Sequence, residues 1–174
     1  MESAIKVVDQ VYWVGMNDRE SPLFESIWPL PNGVSYNSYL MESIVRGLAQ
    51  EGLRTVRVHN VSKSHSSFII SDIWRYRGLI LGSPTYDAKL LPQAESLVSL
   101  LAEKMLRNRC VGVFGSFGWS GGAVKSLQEF VTRSGLQLVE PVIEARFAAK
   151  QEQLDKCVEL GRNVASTVLR GTAD

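Results

Sequence analysis

Apolar and polar positions change period several times along this chain, and each change marks an element. MESIVRGLAQEG (41–52) sets Ile44, Val45, Leu48 and Ala49 on one face of a helix that stops at Gly52. LRTVRVHN (53–60) alternates apolar and polar positions, as a half-buried edge strand does. SSFIISDIWRYR (66–77) fits a short helix with Phe68, Ile69 and Ile73 inward and Trp74 beside them. GLILGSP (78–84) is apolar almost without a break, the pattern of a strand buried on both faces. Helical spacing returns from Pro92 to Leu106 through Ala94, Leu97, Val98, Leu101 and Met105. VGVFGS (111–116) reads as a second doubly buried strand, and AVKSLQEFVTRSG (123–135) as a helix ending at Gly135. LQLVEPVIEARF (136–147) predicts a strand broken or bulged at Pro141, and Leu154, Val158, Gly161, Val164, Ala165 and Val168 line a terminal helix. The first 40 residues differ. IKVVDQVYWVG predicts one or two strands, DRESPLFESIWPLPNG a loop rich in proline and aromatics, and VSYNSYL (34–40) a further strand, with a break in composition near Leu40–Met41.

Helices alternating with doubly buried strands predict a parallel sheet covered on both faces. In such sheets ligands bind beyond the carboxyl ends of the strands. Two unusual segments lie there. The first, FGSFGWSGGAVKSL (114–127), carries Gly115, Gly118, Gly121 and Gly122 where a plain strand-to-helix connection needs only about two to six residues. Small residues keep side chains off a surface that a flat ligand must approach, and the aromatics Phe117 and Trp119 can cover its face. The second, LGSPTYDAKLLP (81–92), offers the hydroxyls and N–H groups of Ser83 and Thr85, a turn stiffened by Pro84, and the ring of Tyr86. The two would form a slot walled by Tyr86 and Trp119 and floored by glycine backbone, suited to a tricyclic ring. The plainer reading makes Tyr86 and Trp119 ordinary packing residues.

Composition removes several functions. A length of 174 residues suits one domain, and 19 basic against 18 acidic residues give no electrostatic case for nucleic acid or an anionic membrane. No apolar run approaches the ~18 residues of a membrane span, and MESAIKVVDQ is not a signal peptide. A cytoplasmic protein is expected, with Cys110 and Cys157 as buried reduced thiols. Lys89 and Arg133 read as solvated charge.

LGSPTYDAKLLP followed by FGSFGWSGGAVKSL resembles the flavodoxin-like domain of the flavodiiron proteins (A-type flavoproteins) over residues 41–174. The resemblance implies a three-layer α/β/α sandwich that binds FMN through two isoalloxazine loops. Those loops fall here on Ser83, Pro84, Thr85, Tyr86 and Asp87, and on Ser116, Phe117, Gly118, Trp119 and Gly121. Residues 11–40 are similar instead to the opening of the family's metallo-β-lactamase-like domain. That domain holds a two-iron centre reducing dioxygen or nitric oxide, fed through FMN, commonly from rubredoxin, across a head-to-tail dimer. A rubredoxin-like donor, a flavodiiron-type partner and a homodimer are therefore the implied partners.

The departures matter as much. The family's iron ligands form an H-x-E-x-D-H run plus further histidines, and this chain has only His59 and His65. A bridged two-iron centre needs several imidazole and carboxylate ligands converging, so no metal site is expected. The family's first strand and the Ser/Thr-rich turn that holds the FMN phosphate at a helix N-terminus are not recognisable. NSYL runs straight into MESIVRGLAQ, as in a family member whose middle has been deleted. Residues 1–40 and 41–174 are thus expected as two units, with Ser35, Asn37 and Ser38 either a surrogate phosphate turn or a polar loop. In the strand order 2-1-3-4-5 the lost strand is internal. Part of residues 4–40 should pair beside Gly78–Gly82, or that edge is left open. Two functions follow: an FMN-binding electron-transfer module without the diiron centre, or a non-catalytic remnant that at most associates with a partner.

Overall fold

The computed structural model describes residues 38–171, together with the backbone of residues 5–8, 11–13, 23–24 and 28–29. In chain order the elements are β1 (Ile5–Val8), β2 (Val11–Trp13), β3 (Leu23–Phe24), β4 (Trp28–Pro29), α1 (Ser38–Gln50) and α2 (Ser66–Arg75). There follow β5 (Gly78–Tyr86), β6 (Lys89–Leu90), α3 (Pro92–Glu103), β7 (Cys110–Phe117), α4 (Ala123–Arg133), β8 (Gln137–Arg146) and α5 (Gln151–Arg170). No described helix is long and apolar enough to cross a membrane.

One sheet runs in the order β6-β5-β7-β8, with β5, β7 and β8 parallel and β6 antiparallel to β5. The sheet is therefore mostly, not wholly, parallel. Its strands alternate as a doubly covered sheet requires. Leu79 and Leu81 lie opposite Val111 and Val113, and all four face a core with Ile69 and Ile73 of α2, Leu97 and Leu101 of α3, and Leu127 and Phe130 of α4. Ile80, Cys110 and Phe114 face the other way, against Ile44 and Leu48 of α1 and Leu160 and Val164 of α5. These are the three expected layers.

Local chemistry explains the ends of the elements. α1 stops where Gly52 takes a φ of +81° and its N–H reaches Ala49 O at 3.1 Å, a left-handed close that glycine adopts without strain. α2 starts at His65, whose Nδ1 accepts from Ser67 N at 3.3 Å. At its other end Arg109 Nη2 donates to Trp74 O at 3.0 Å, a cation on the orphan carbonyls of a helix terminus. The irregularity expected at Pro141 is present: Gly112 pairs with Val139 but Phe114 with Ile143, so β8 bulges between them.

Two expectations are corrected. Residues 53–60 form no strand. An edge strand in the 2-1-3-4-5 order bonds only to strand 1, and on the edge of β5 away from β7 no strand stands along Gly78–Pro84 among the described residues. The strand expected over 34–40 is also overturned where it is described, because Ser38–Leu40 form the first turn of α1. Residues 34–37 lie outside the described residues. β1 pairs with β2, and β3 with β4, as separate two-stranded sheets. The expectation that part of residues 4–40 pairs beside Gly78–Gly82, or that this edge is left open, falls largely on residues outside the described ones.

Candidate functional site

The carboxyl ends of β5 and β7 carry the two loops, and the sheet register brings them side by side: Ser83 lies opposite Gly115 and Pro84 opposite Ser116. The first is a hairpin. β5 continues through Tyr86, Thr85 pairs with Leu90 and Tyr86 with Lys89, and Asp87 and Ala88 make the two-residue turn with φ of +47° and +56°. Two left-handed residues in sequence are the signature of a type I′ turn, whose twist matches that of the strands it joins. Asp87 takes that conformation more readily than most residues.

The hairpin is then tied to the second loop. Thr85 Oγ1 accepts from the N–H of Ala123, the first residue of α4, at 3.3 Å. Gly122 lies so close to Ala88 that a Cβ there would sit 2.0 Å from the Ala88 carbonyl oxygen. Ser83 is 1% exposed, and its hydroxyl donates to Pro84 O at 2.8 Å and accepts from Leu91 N at 3.3 Å. Both hydroxyls expected to face a ligand are thus engaged inside the fold.

The glycines divide in the same way. A Cβ at Gly115 would meet Ser83 O at 2.6 Å, and one at Gly121 would meet Glu144 Oε1 at 2.7 Å. Gly121 thus meets only the far end of a flexible side chain, while Gly115 and Gly122 are accounted for by the protein's own packing. Gly118 is not: a Cβ there would touch only Phe147, at 3.6 Å. The carboxyl ends of the three parallel strands carry large exposed rings, Trp119 at 85%, Phe147 at 62% and Tyr86 at 55% exposure. Ser116 and Phe117, at the end of β7, are half-buried. The N–H groups of Trp119, Ser120 and Gly121 make no hydrogen bond within the described residues. Three open rings, a glycine with room above it and unpaired amide donors at the carboxyl end of one sheet fit a flat aromatic ligand with a polar rim.

Phe147 is the residue the sequence reading missed. It follows β8 with a φ of +57°, and its N–H donates to Phe117 O at 2.8 Å, which fastens it to the second loop. The Arg146 guanidinium lies 5.2 Å from the Phe147 ring centroid and donates through Nε to Gly118 O at 3.4 Å. The available signal was its place at the carboxyl end of a third parallel strand.

The other titratable groups serve the fold. His59 Nε2 pairs with Asp72 Oδ2 at 2.8 Å, and His65 caps α2. No group of three or more His, Cys, Asp or Glu side chains converges among the described residues. Burial pushes the Cys157 thiol up to about 12 and raises that of Cys110, where the backbone hydrogen bond and Arg77 oppose it. Neither is a ready nucleophile. Ser38 lies at the start of α1, and Ser35 and Asn37 lie outside the described residues.

Residues 37–161 match the flavodoxin family. The anaerobic nitric oxide reductase flavorubredoxin of Escherichia coli (strain SMS-3-5 / SECEC) is 31% identical over 134 residues, which are 76% of this chain and 28% of that protein. The chain thus spans little more than a quarter of the length of such curated relatives. Rubredoxin oxygen:oxidoreductase from Desulfovibrio gigas superposes with a TM-score of 0.75 at 24% identity, covering 80% of this chain and 34% of that one. The metal-soaked flavodiiron core from Synechocystis sp. PCC6803 gives 0.72 at 26% identity, covering 79% and 34%. A flavodoxin from the domain Archaea gives 0.68 at 22% identity, covering 77% of this chain and 91% of its own.

Proposed function

The chain belongs to the flavodoxin family, and we propose that it binds FMN at the Gly118 face and serves as an electron-transfer module of flavodiiron type. The observation that supports this best is that the carboxyl ends of the three parallel strands each carry a large exposed ring, Tyr86 at β5, Trp119 after β7 and Phe147 after β8, with Gly118 beside Trp119 met only by Phe147. When bound there, FMN supplies the redox chemistry and the protein supplies position and environment.

On this reading the chain's own groups take the following roles. Tyr86 and Trp119 cover the faces of the ring system and keep water from them. The N–H groups of Trp119, Ser120 and Gly121 meet its polar rim. Ser83 and Thr85 hold the first loop against the second and fix the spacing of the walls. Arg146 places a positive charge beside the site, through its contact with Gly118 O. The rings stand at the protein surface, so a bound ring system lies within reach of a protein redox partner. A rubredoxin-like donor is the partner we propose, in keeping with relatives that are themselves a flavorubredoxin and a rubredoxin:oxygen oxidoreductase. With two histidines in the whole sequence, the chain is proposed to carry no diiron reductase centre of its own, and its reduced thiols suit the cytoplasm.

Titration of the purified chain with FMN, followed by quenching of flavin fluorescence, tests the reading. Saturable one-to-one binding is expected. Trp119→Ala should weaken it roughly two- to tenfold from lost stacking alone, and further from lost contact area. Absence of binding would reject the function, and an unchanged affinity in Trp119→Ala would move the ring elsewhere.

A further inference from the structure

Helices α2 to α5 all run against the parallel strands, so their carboxyl ends gather at the amino end of the sheet, opposite the two loops. That end is basic. Arg75, Arg77, Lys104, Arg107, Arg133 and Arg170 are exposed there. The sheet register sets Gly78 opposite Cys110 and Cys110 opposite Gln137, which brings the segments ahead of β5, β7 and β8 side by side. Arg109 ties two of them, its Nη2 donating to Trp74 O at 3.0 Å and its Nη1 to Arg107 O at 2.9 Å. Arg77 Nη1 donates to Gly171 O, which adds the end of α5. None of the six exposed cations pairs with a carboxylate among the described residues. The described acidic side chains at this end are Glu51 and Glu103, with Glu129 and Asp72 a turn further up, and Asp72 is held by His59. The near balance of 19 basic and 18 acidic residues over the whole sequence hides this unevenness.

Helix chemistry explains part of it. Arg75, Arg133 and Arg170 stand in the last turns of α2, α4 and α5, where a cation offsets the orphan carbonyls. It does not explain the turn between α3 and β7. There Arg107 lends the fold only its carbonyl oxygen. Met105, at a φ of +49°, is 69% exposed while Leu106 beside it is buried, and Trp74 on the neighbouring segment is 51% exposed. Two large apolar side chains are thus held in water among cations.

Cations alone suit any polyanion, and the apolar pair narrows the choice. The phosphates of a duplex give a methionine nothing to contact. A stable protein interface needs an apolar core within about 800 Å² on each partner, and two side chains do not make one. At an anionic bilayer the cations meet headgroups in any arrangement, tryptophan sits at headgroup level and methionine reaches the acyl boundary. We propose that the amino end of the sheet is a peripheral docking surface for an anionic lipid membrane. The loops after β5 and β7 lie about 25 Å away along the nine residues of β5 and face away from the lipid. This inference does not rest on the flavin reading.

The test is sedimentation of the full chain with vesicles of phosphatidylcholine, alone or with roughly 40% phosphatidylglycerol, in about 50 mM salt. Binding to the anionic vesicles only is expected, falling at least about tenfold at roughly 300 mM salt. Lys104→Gln with Arg107→Gln should weaken it about 25-fold, near fivefold for each charge removed. Lys89→Gln with Lys125→Gln makes the same change of net charge at the other end and should leave binding within about twofold. Equal losses in the two double variants, or no binding to anionic vesicles, would overturn the proposal. Binding unchanged in Met105→Ser would overturn the choice of a membrane over other polyanions. So would tighter binding of a random-sequence DNA duplex that the first double variant also loses. Should circular dichroism show that variant unfolded, Arg75→Gln with Arg133→Gln takes its place under the same expectations.

Discussion

A methyl group added at Gly122 would stand 2.0 Å from the carbonyl oxygen of Ala88, and one added at Gly121 would stand 2.7 Å from Glu144 Oε1. The first obstacle is backbone in a tight hairpin, and the second is the far end of a flexible side chain. Gly122→Ala should therefore cost about 1–3 kcal/mol, as overpacking does, while Gly121→Ala should stay within about 1 kcal/mol. Urea unfolding of both variants checks this, and a larger loss in Gly121→Ala would contradict it. The sequence made the density of glycines legible but not its causes: a glycine seated against a carbonyl and one facing open space are the same letter. Phe147 was hidden for a related reason, since a left-handed residue after a strand leaves no mark in hydrophobic periodicity. Cys157 gives a prediction in pH. Its thiol is raised from 9.0 to about 12 by burial alone, so between those values the folded chain keeps a proton that the unfolded chain has lost. Its contribution to stability is complete below pH 9 and falls by about 1.4 kcal/mol per pH unit above it. In Cys157→Ala the decline of stability from pH 9 upward should be shallower than in the native chain, whatever the offset between them at pH 7. Parallel curves would show that the thiol does not contribute.

At the scale of elements, α1 and α5 meet backbone to backbone. A Cβ on Gly161 would lie 2.1 Å from Ile44 O, and one on Gly47 would lie 2.0 Å from Val158 O. Alanine in mid-helix gains about 1 kcal/mol of propensity over glycine, but here it has to push two helices apart over a buried core. Gly161→Ala should therefore lower stability by about 1–3 kcal/mol net, measured as a shift in the urea midpoint at unchanged slope. A gain in stability would mean that the helices are not in such close contact. Helices α1 to α5 and strands β5, β7 and β8 were legible because their periodicity answers to layers that exist here. The alternation in 53–60 answers to a neighbouring strand that is not among the described ones, so the same pattern yields no ladder. A strand needs its partner, whereas a helix closes its own hydrogen bonds. The β6 hairpin was read as loop because Asp-Ala is a weak signal beside the Asn-Gly or Asp-Gly expected at a type I′ turn.

At the scale of the whole molecule, the groups suited to a flavin lie at one end of it. Under the proposed function Tyr86, Trp119, Phe147 and the unbonded N–H groups of 119–121 would address the ring system, while the hydroxyls of Ser83 and Thr85 are occupied within the fold. Ahead of α1 the sequence shows no recognisable counterpart of the Ser/Thr-rich turn that would hold a phosphate at a helix N-terminus. Such a turn supplies several charge-assisted hydrogen bonds, each contributing roughly 1.5–3 kcal/mol. The loss of two lowers affinity by about 3–6 kcal/mol, or on the order of a hundredfold to more than ten-thousandfold. Stacking on two rings returns only about 1–3 kcal/mol of this. Binding should thus be set by the ring alone, and riboflavin, which lacks the phosphate, should bind nearly as tightly as FMN. Parallel titrations under one set of conditions decide the matter, with Trp119→Ala as the internal reference, because it should weaken both flavins by the same factor. A strong preference for FMN would instead mean that the chain retains a phosphate site, and substitutions at Ser35, Asn37 and Ser38 would then be the first to examine. A preference for FMN that raised salt abolished would point to the charge of Arg146 rather than to a built turn, because screening weakens an exposed charge far more than a set of directed hydrogen bonds.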